Sequence, residues 1–183
     1  MVYKKYKIPT QLKNDVWAFF DNYKIENKIW GSGNKEQQFV GIIGEIMVKM
    51  LFGIKHDWKR EFDGGFDFQF KGHKIDVKTM TRTVDVRDDF VNNLIKNQID
   101  FDCDIYIFCS LNKRKNELTI CGYISKKELL ELAVLYKQGT VRRRSNGTTF
   151  KMKNDVYEIE NNKLKNIEKL FYYLPKYESN FLN

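Results

Sequence analysis

The chain has 183 residues, a formal net charge of +8, 42% hydrophobic residues and 15% aromatic ones. That composition supports a packed core and excludes a disordered chain, while the basic balance points to a polyanionic partner. Cys103, Cys109 and Cys121 form no CxxC pair and only His56 and His73 accompany them, which argues against a Cys/His zinc site and a disulfide framework.

In chain order, Pro9-Thr10 opens an amphipathic helix in which Leu12, Val16, Phe19, Phe20 and Tyr23 recur at helical spacing. A turn over Gly31-Ser-Gly33-Asn34 precedes a second helix, about 35–52, whose expected buried stripe is Phe39, Ile42, Ile43, Ile46, Met50 and Leu51. Gly41 and Gly44 weaken that helix, by about 1 kcal/mol each relative to Ala, so they imply close approach to another backbone. A strand near Trp58–Phe62 and a hairpin follow, and residues 88–98 are read as a helix. Asp104–Leu111 and Glu117–Ile124 are apolar strands joined by a charged turn. Ser125-Lys-Lys-Glu128 is a capping box and opens a helix to about Tyr136. The rest holds a basic loop (Arg142, Arg143, Arg144), an Asn146-Gly147 turn, a strand near Val156–Ile159 and a helix about 162–174. The cysteines fall in apolar runs and read as buried thiols of a reducing cytosol. No apolar run follows the N-terminal lysines and none reaches the ~18 residues of a membrane span, so the expectation is a cytoplasmic protein without a membrane partner.

The most informative stretch is Asp67-Phe-Gln-Phe-Lys-Gly-His-Lys-Ile-Asp76-Val-Lys78. Side chains alternate along a strand, so Phe66, Phe68 and Phe70 share one face while Asp67 and Gln69 share the other. Ile75, Val77 and Thr79 likewise oppose Asp76 and Lys78. A turn at Gly72-His73 would pair Phe70 with Ile75, Gln69 with Asp76, Phe68 with Val77 and Asp67 with Lys78. Asp67 and Asp76 then offer carboxylates, and the Val77 carbonyl a third oxygen, to a hard cation such as Mg²⁺. Lys78 would orient water or neutralise a phosphate. The plainer account is an exposed hairpin face with a cross-strand ion pair. Glu45, on the second helix, could reach the rim of this cluster; its plainer account is an exposed i,i+4 pair with Lys49.

Gly41-Ile-Ile-Gly44-Glu45 on a helix, then Asp63-Gly-Gly-Phe-Asp67, then Ile75-Asp76-Val77-Lys78-Thr79, resembles the PD-(D/E)XK nuclease superfamily over roughly residues 36–111. The resemblance implies one α/β domain over 1–183 with a restriction-endonuclease-like αβββαβ core, about 36–137. Helices would flank a central mixed sheet, with C-terminal helices and a hairpin added. It also implies an Mg²⁺-dependent deoxyribonuclease, with Mn²⁺ able to substitute, acting as an endonuclease on DNA. Asp67, Asp76, Glu45 and the Val77 carbonyl become metal ligands, and Lys78 the catalytic lysine. Asp63 is a rival for the first aspartate, and no proline precedes Asp67. Gln69, Arg82, Arg142, Arg143 and Arg144 are candidate substrate contacts, Gln98 a weaker one; double-strand cutting would favour a homodimer. The alternatives are a catalytically silent nucleic-acid-binding or assembly protein on the same fold, and a nuclease acting on RNA.

Overall fold

The computed structural model describes residues 3–22, 34–58, 64–143 and 147–172. A five-stranded mixed sheet lies at its centre. Strands β1 (Lys4–Lys7), β2 (Phe68–Phe70), β3 (His73–Arg82), β5 (Ile105–Asn112) and β6 (Glu117–Ser125) run in the order β1-β6-β5-β3-β2. β3 and β5 are parallel, and every other neighbouring pair in this sheet is antiparallel. Strands β4 (Val91–Ile95), β7 (Val134–Tyr136) and β10 (Val156–Glu160) form a second antiparallel sheet, and β8 (Val141–Arg143) pairs with β9 (Thr149–Lys151) as a hairpin. Among the described residues four α-helices accompany them: α1 (Thr10–Asn22), α2 (Lys35–Leu51), α3 (Lys126–Leu132) and α4 (Ile167–Tyr172).

Strand β5 explains the layering. All eight of its residues are buried, as expected of a parallel partner covered on both faces. Ile105, Ile107, Cys109 and Leu111 enter a core shared with Leu12, Val16 and Phe20 of α1 and Val40, Ile43 and Met47 of α2. Tyr106 and Phe108 face the other way, into a core with Leu94 of β4, Leu129 of α3 and Ile159 of β10. All three cysteines are buried and unpaired.

The starts of α2 and α3 follow from capping. Asn34 and Gln37 exchange side-chain-to-backbone hydrogen bonds of 2.9 Å in both directions at the head of α2, and Ser125 with Glu128 forms the box expected at α3. The buried face of α2 sits differently from the expected stripe. Val40, Met47 and Val48 are buried, Phe39, Ile42 and Leu51 are only partly covered, and Met50 is exposed.

Four expectations are corrected. Residues 88–98 are no helix: Val91–Ile95 is β4, followed by a 3₁₀ turn, Lys96–Asp100. Asn92 and Leu94 alternate inward there, and the Asn92 amide donates to Asn161 Oδ1 at 2.7 Å, a bond available only with β4 extended beside β10. Helix α3 stops at Leu132, because the next residues, Val134–Tyr136, pair with β10. The closing helix begins only at Ile167 (Ile167–Tyr172 among the described residues), after a 3₁₀ turn at Asn161–Lys163. Tyr172 is 86% exposed. Apart from Trp58, the strand expected near Trp58–Phe62 lies outside the described residues, as do the Gly31–Gly33 turn, Asp63 and Asn146.

The fourth correction concerns the hairpin. Its turn is Lys71-Gly72, both with positive φ (47° and 82°), the two-residue geometry that matches strand twist. Phe70 therefore pairs with His73, Gln69 with Lys74 and Phe68 with Ile75. The shift from the expected register is two residues, so side-chain parity survives. Phe68 and Phe70 still meet the helix-side core, whereas the Phe66 ring does not and lies 5.5 Å from Lys74 Nζ.

Candidate functional site

Asp67 lies just before β2 and clasps β3 at two points. Its N–H donates to the Ile75 carbonyl at 2.8 Å, and its Oδ2 accepts the Val77 N–H at 2.7 Å. The carboxylate is thus fixed beside Asp76. The N–H and C=O of one residue in a strand point to the same side, so the Val77 carbonyl faces the same edge. β2 begins at Phe68, which leaves that carbonyl beyond the ladder.

Asp76 and Lys78 occupy alternate positions on β3. Asp76 is only 4% exposed, and Lys78 Nζ stands 2.8 Å from Asp76 Oδ2. The expected cross-strand pairing of Asp67 with Lys78 is replaced by this pairing within the strand, a direct result of the two-residue register shift. Gln69 is exposed and pairs with Lys74, two residues from the position expected beside Asp76.

Glu45 approaches from the helix layer. Gly44 permits this: a Cβ built on it would lie 1.9 Å from Thr79 Oγ1 on β3. Close packing at Gly44 is therefore real, although it is against the Thr79 side chain and not the backbone that was expected. At Gly41 a Cβ would meet nothing within 4 Å, and the expectation fails there. The Glu45–Lys49 pair exists, at 2.6 Å, but it is not a surface pair, since Lys49 is 8% exposed. His56 Nδ1 lies 3.4 Å from the same Oε1, within ion-pair range but without hydrogen-bond alignment. Neither the burial of Lys49 nor the approach of His56 was legible in the sequence. His56 follows the end of α2 in a segment without periodicity, and only its aromatic neighbour Trp58 marks it.

The electrostatics bind these groups together. Burial pushes the Asp67 carboxyl well above the usual carboxylate range, and the charges of Asp76 and Glu45 push it further, against Lys78 and the Val77 N–H. Burial opposes the Lys78 ammonium, but Asp76 and Asp67 outweigh it and hold its pKa above the ordinary lysine value. Burial also opposes ionisation of Glu45, yet His56 and Lys49 hold its pKa below the usual value. Three carboxylates thus share one region with too little positive charge beside Asp67.

A hard cation would relieve that imbalance, and the donor chemistry suits one. Two carboxylates and a carbonyl meet the demand of Mg²⁺, which commonly takes one or two carboxylates and completes its shell with water and substrate phosphate. Among the described residues no three His, Cys, Asp or Glu side chains gather closely enough to hold an ion. Glu45 therefore acts on Asp67 through its charge and stands outside a compact ligand group.

A raised Asp67 pKa contributes stability at pH values below the unfolded carboxylate range, and the contribution is lost as pH rises through the folded value. The lowered Glu45 pKa acts oppositely: its contribution is present above the unfolded value and is lost as pH falls through the folded one. Saturating Mg²⁺ is expected to raise the melting temperature more at about pH 8 than at about pH 5, where Asp67 competes for a proton. Thermal scans with Mg²⁺ and with EDTA check this; an equal gain at both pH values contradicts it.

The arginines are placed elsewhere. Arg82 donates to the Val91 carbonyl at 2.6 Å and lies 4.9 Å from the Phe90 ring, tying the end of β3 to β4. Burial lowers its pKa. Arg142 pairs with the buried Glu158 at 2.8 Å and sits 3.7 Å from the Tyr136 ring. Both are engaged by partners within the fold. Arg143 is exposed on β8, and Arg144 lies outside the described residues. Gln98 belongs to the 3₁₀ turn, where its carbonyl accepts from Tyr106 Oη at 3.5 Å.

No family model, curated protein or solved structure matches the chain. No helix among the described residues is long and apolar enough to cross a membrane.

Proposed function

We propose that the chain is a divalent-metal-dependent nuclease on a restriction-endonuclease-like fold, hydrolysing phosphodiester bonds in DNA. The observation that carries this reading is the clasp at β3. Asp67 is bound to the Val77 N–H directly beside the Asp76–Lys78 ion pair, in a region where burial and like charge disfavour the carboxylate.

The topology lends support. Helix α2 docks on β3 through Gly44, β2 and β3 form a hairpin, and β3 runs parallel to β5. The departure is the connection from β3 to β5, where β4 and a 3₁₀ turn replace the helix of an αβββαβ core.

Asp67, Asp76 and the Val77 carbonyl would hold the cation, which when bound supplies Lewis-acid stabilisation of charge on a phosphoryl oxygen. Lys78 carries the ammonium nearest the reacting phosphate and neutralises charge as it develops there. Its pKa keeps it protonated at neutral pH, so its role is electrostatic and orienting. Glu45 adds a negative charge beside Asp67 that orients water entering the site.

One observation favours a catalytically silent DNA-binding protein. Oδ2 of Asp67, Oδ2 of Asp76 and Oε1 of Glu45 each have a protein partner already. Supercoiled plasmid incubated with Mg²⁺ separates the two readings: nicking or linearisation that EDTA abolishes supports the nuclease. Salt-sensitive binding without any cleavage supports the silent protein. Cleavage of a matched RNA and not of DNA moves the reading to a ribonuclease.

A further inference from the structure

The β8–β9 hairpin has two unlike faces. Its register pairs Val141 with Lys151, Arg142 with Phe150 and Arg143 with Thr149. Side chains alternate along each strand, so Arg142 and Phe150, both half-buried, share one face. Val141, Arg143, Thr149 and Lys151 share the other and are all exposed. The inner face is fastened to the second sheet. Arg142 Nη1 stands 2.8 Å from Oε2 of Glu158 on β10, a residue only 6% exposed, and the guanidinium lies 3.7 Å from the Tyr136 ring on β7. At the base of the hairpin, Gly139 donates to the Met152 carbonyl and Met152 to the Thr140 carbonyl, each at 2.9 Å. The outer face differs. Among the described residues no ion pair engages Arg143 or Lys151, whereas Lys137, just before the hairpin, is held by Asp155 at 3.1 Å.

A face that met phosphate alone would need only cations. This one adds Val141, 65% exposed, and the Thr149 hydroxyl, groups suited to thymine methyls and base edges. We propose that the outer face of this hairpin docks in the major groove of duplex DNA. Arg143 and Lys151 meet phosphates, Val141 and Thr149 face base edges, and Arg142 is the anchor behind them. This rests on the DNA reading and deepens it, and it holds for the cleaving and the silent protein alike. The major groove of B-form DNA, about 12 Å wide, admits a two-stranded ribbon, whereas the narrow groove of A-form RNA does not. The net charge of +8 favours such a polyanion. Arg142 is a positioning residue in this scheme. Its flat guanidinium suits both a carboxylate and an aromatic face, a combination lysine does not match.

The test measures binding of the full chain to labelled oligonucleotides over a range of salt, in EDTA so that metal-dependent cleavage is absent. Arg143→Gln combined with Lys151→Gln is expected to weaken binding of a DNA duplex about 10-fold or more. The slope of log affinity against log salt should also flatten by roughly 2, about 0.9 for each lost phosphate contact. Lys127→Gln combined with Lys169→Gln removes the same charge from two exposed lysines elsewhere and is expected to leave binding close to the parent's. Arg142→Lys keeps the charge and loses the stack on Tyr136; duplex binding should fall several-fold with the salt slope unchanged. An RNA duplex of matched sequence should bind more weakly than the DNA. Parental duplex binding by the Arg143→Gln/Lys151→Gln variant, or an equal loss in the lysine control, overturns the inference and leaves the nuclease reading intact. RNA duplex bound as tightly as DNA overturns docking in the major groove, and Arg142→Lys matching the parent removes the anchoring role. A parent that binds no DNA and nicks no plasmid with Mg²⁺ overturns both readings.

Discussion

On the proposed nuclease reading, Lys78→Met is expected to lower Mg²⁺-dependent cleavage by on the order of 10²–10³-fold, the usual cost of removing a pre-placed charge that stabilises a developing anion. Lys78 is the ammonium that meets Asp76, at 2.8 Å, and it acts on Asp67 as well. Methionine keeps the length of the side chain and deletes the charge. The same change leaves Asp76 without that ammonium in a nearly closed position, so the variant is also expected to melt lower in EDTA. Breaking a buried pair costs about 3–5 kcal/mol, and the partial exposure of Lys78 places this case below that range. Melting at lower pH, where Asp67 is protonated, recovers part of the loss. Asp76→Asn in the same chain removes the stranded charge and restores stability without restoring cleavage. That dissociation identifies a catalytic role, because a merely structural ion pair would lose or regain both together. A folded Lys78→Met variant that cleaves within a few-fold of the parent contradicts the role.

Gly44→Ala is the largest stability effect expected of a single methyl group. The added Cβ falls 1.9 Å from Thr79 Oγ1 and 3.0 Å from Thr79 Cβ, so the helix must lift from β3. Alanine gains about 1 kcal/mol of helix propensity, against an overpacking cost of about 1–3 kcal/mol or more. A contact this short lies at the upper end of that range. A net loss of about 2 kcal/mol corresponds to a melting temperature about 4–8 °C lower in a chain of this size. Gly41→Ala is the internal control, since its Cβ meets nothing within 4 Å; it should raise the melting temperature slightly. Thr79→Ala in the Gly44→Ala background removes the nearest atom and recovers part of the loss. Because Glu45 follows Gly44 directly, the lifted helix should also weaken cleavage beyond what the melting temperature explains. Equal melting temperatures for Gly44→Ala and Gly41→Ala would show that α2 does not sit this close to β3.

The parts of this site legible in the sequence are those set by period and parity. Alternation placed Asp76 and Lys78 opposite Ile75 and Val77, and the apolar run Asp104–Leu111 announced the central strand β5. Serine and its partner three residues on marked the head of α3, whereas the equivalent Asn34–Gln37 box at α2 stands in what reads only as a turn. What escaped depends on choices the local sequence leaves balanced. Lys71-Gly72 and Gly72-His73 are both two-residue turns containing the glycine, and the choice between them moves every cross-strand neighbour by two positions without altering either face. Val91–Ile95 carries no helical or strand period strong enough to decide its state; the hydrogen bond from Asn92 to Asn161, 69 residues away, does so. The arginines were assigned to phosphate by residue type alone. Their partners, the Val91 carbonyl for Arg82 and Glu158 for Arg142, are set by tertiary packing that no short window contains.

A crystal of the chain soaked in Mn²⁺ and measured for anomalous scattering tests the site at its centre. The expected result is a single strong peak between the carboxylates of Asp67 and Asp76, within coordination distance of the Val77 carbonyl and lost in Asp76→Asn. No peak at that position at saturating Mn²⁺, or a peak only at surface carboxylates such as Asp85 or Glu168, contradicts it.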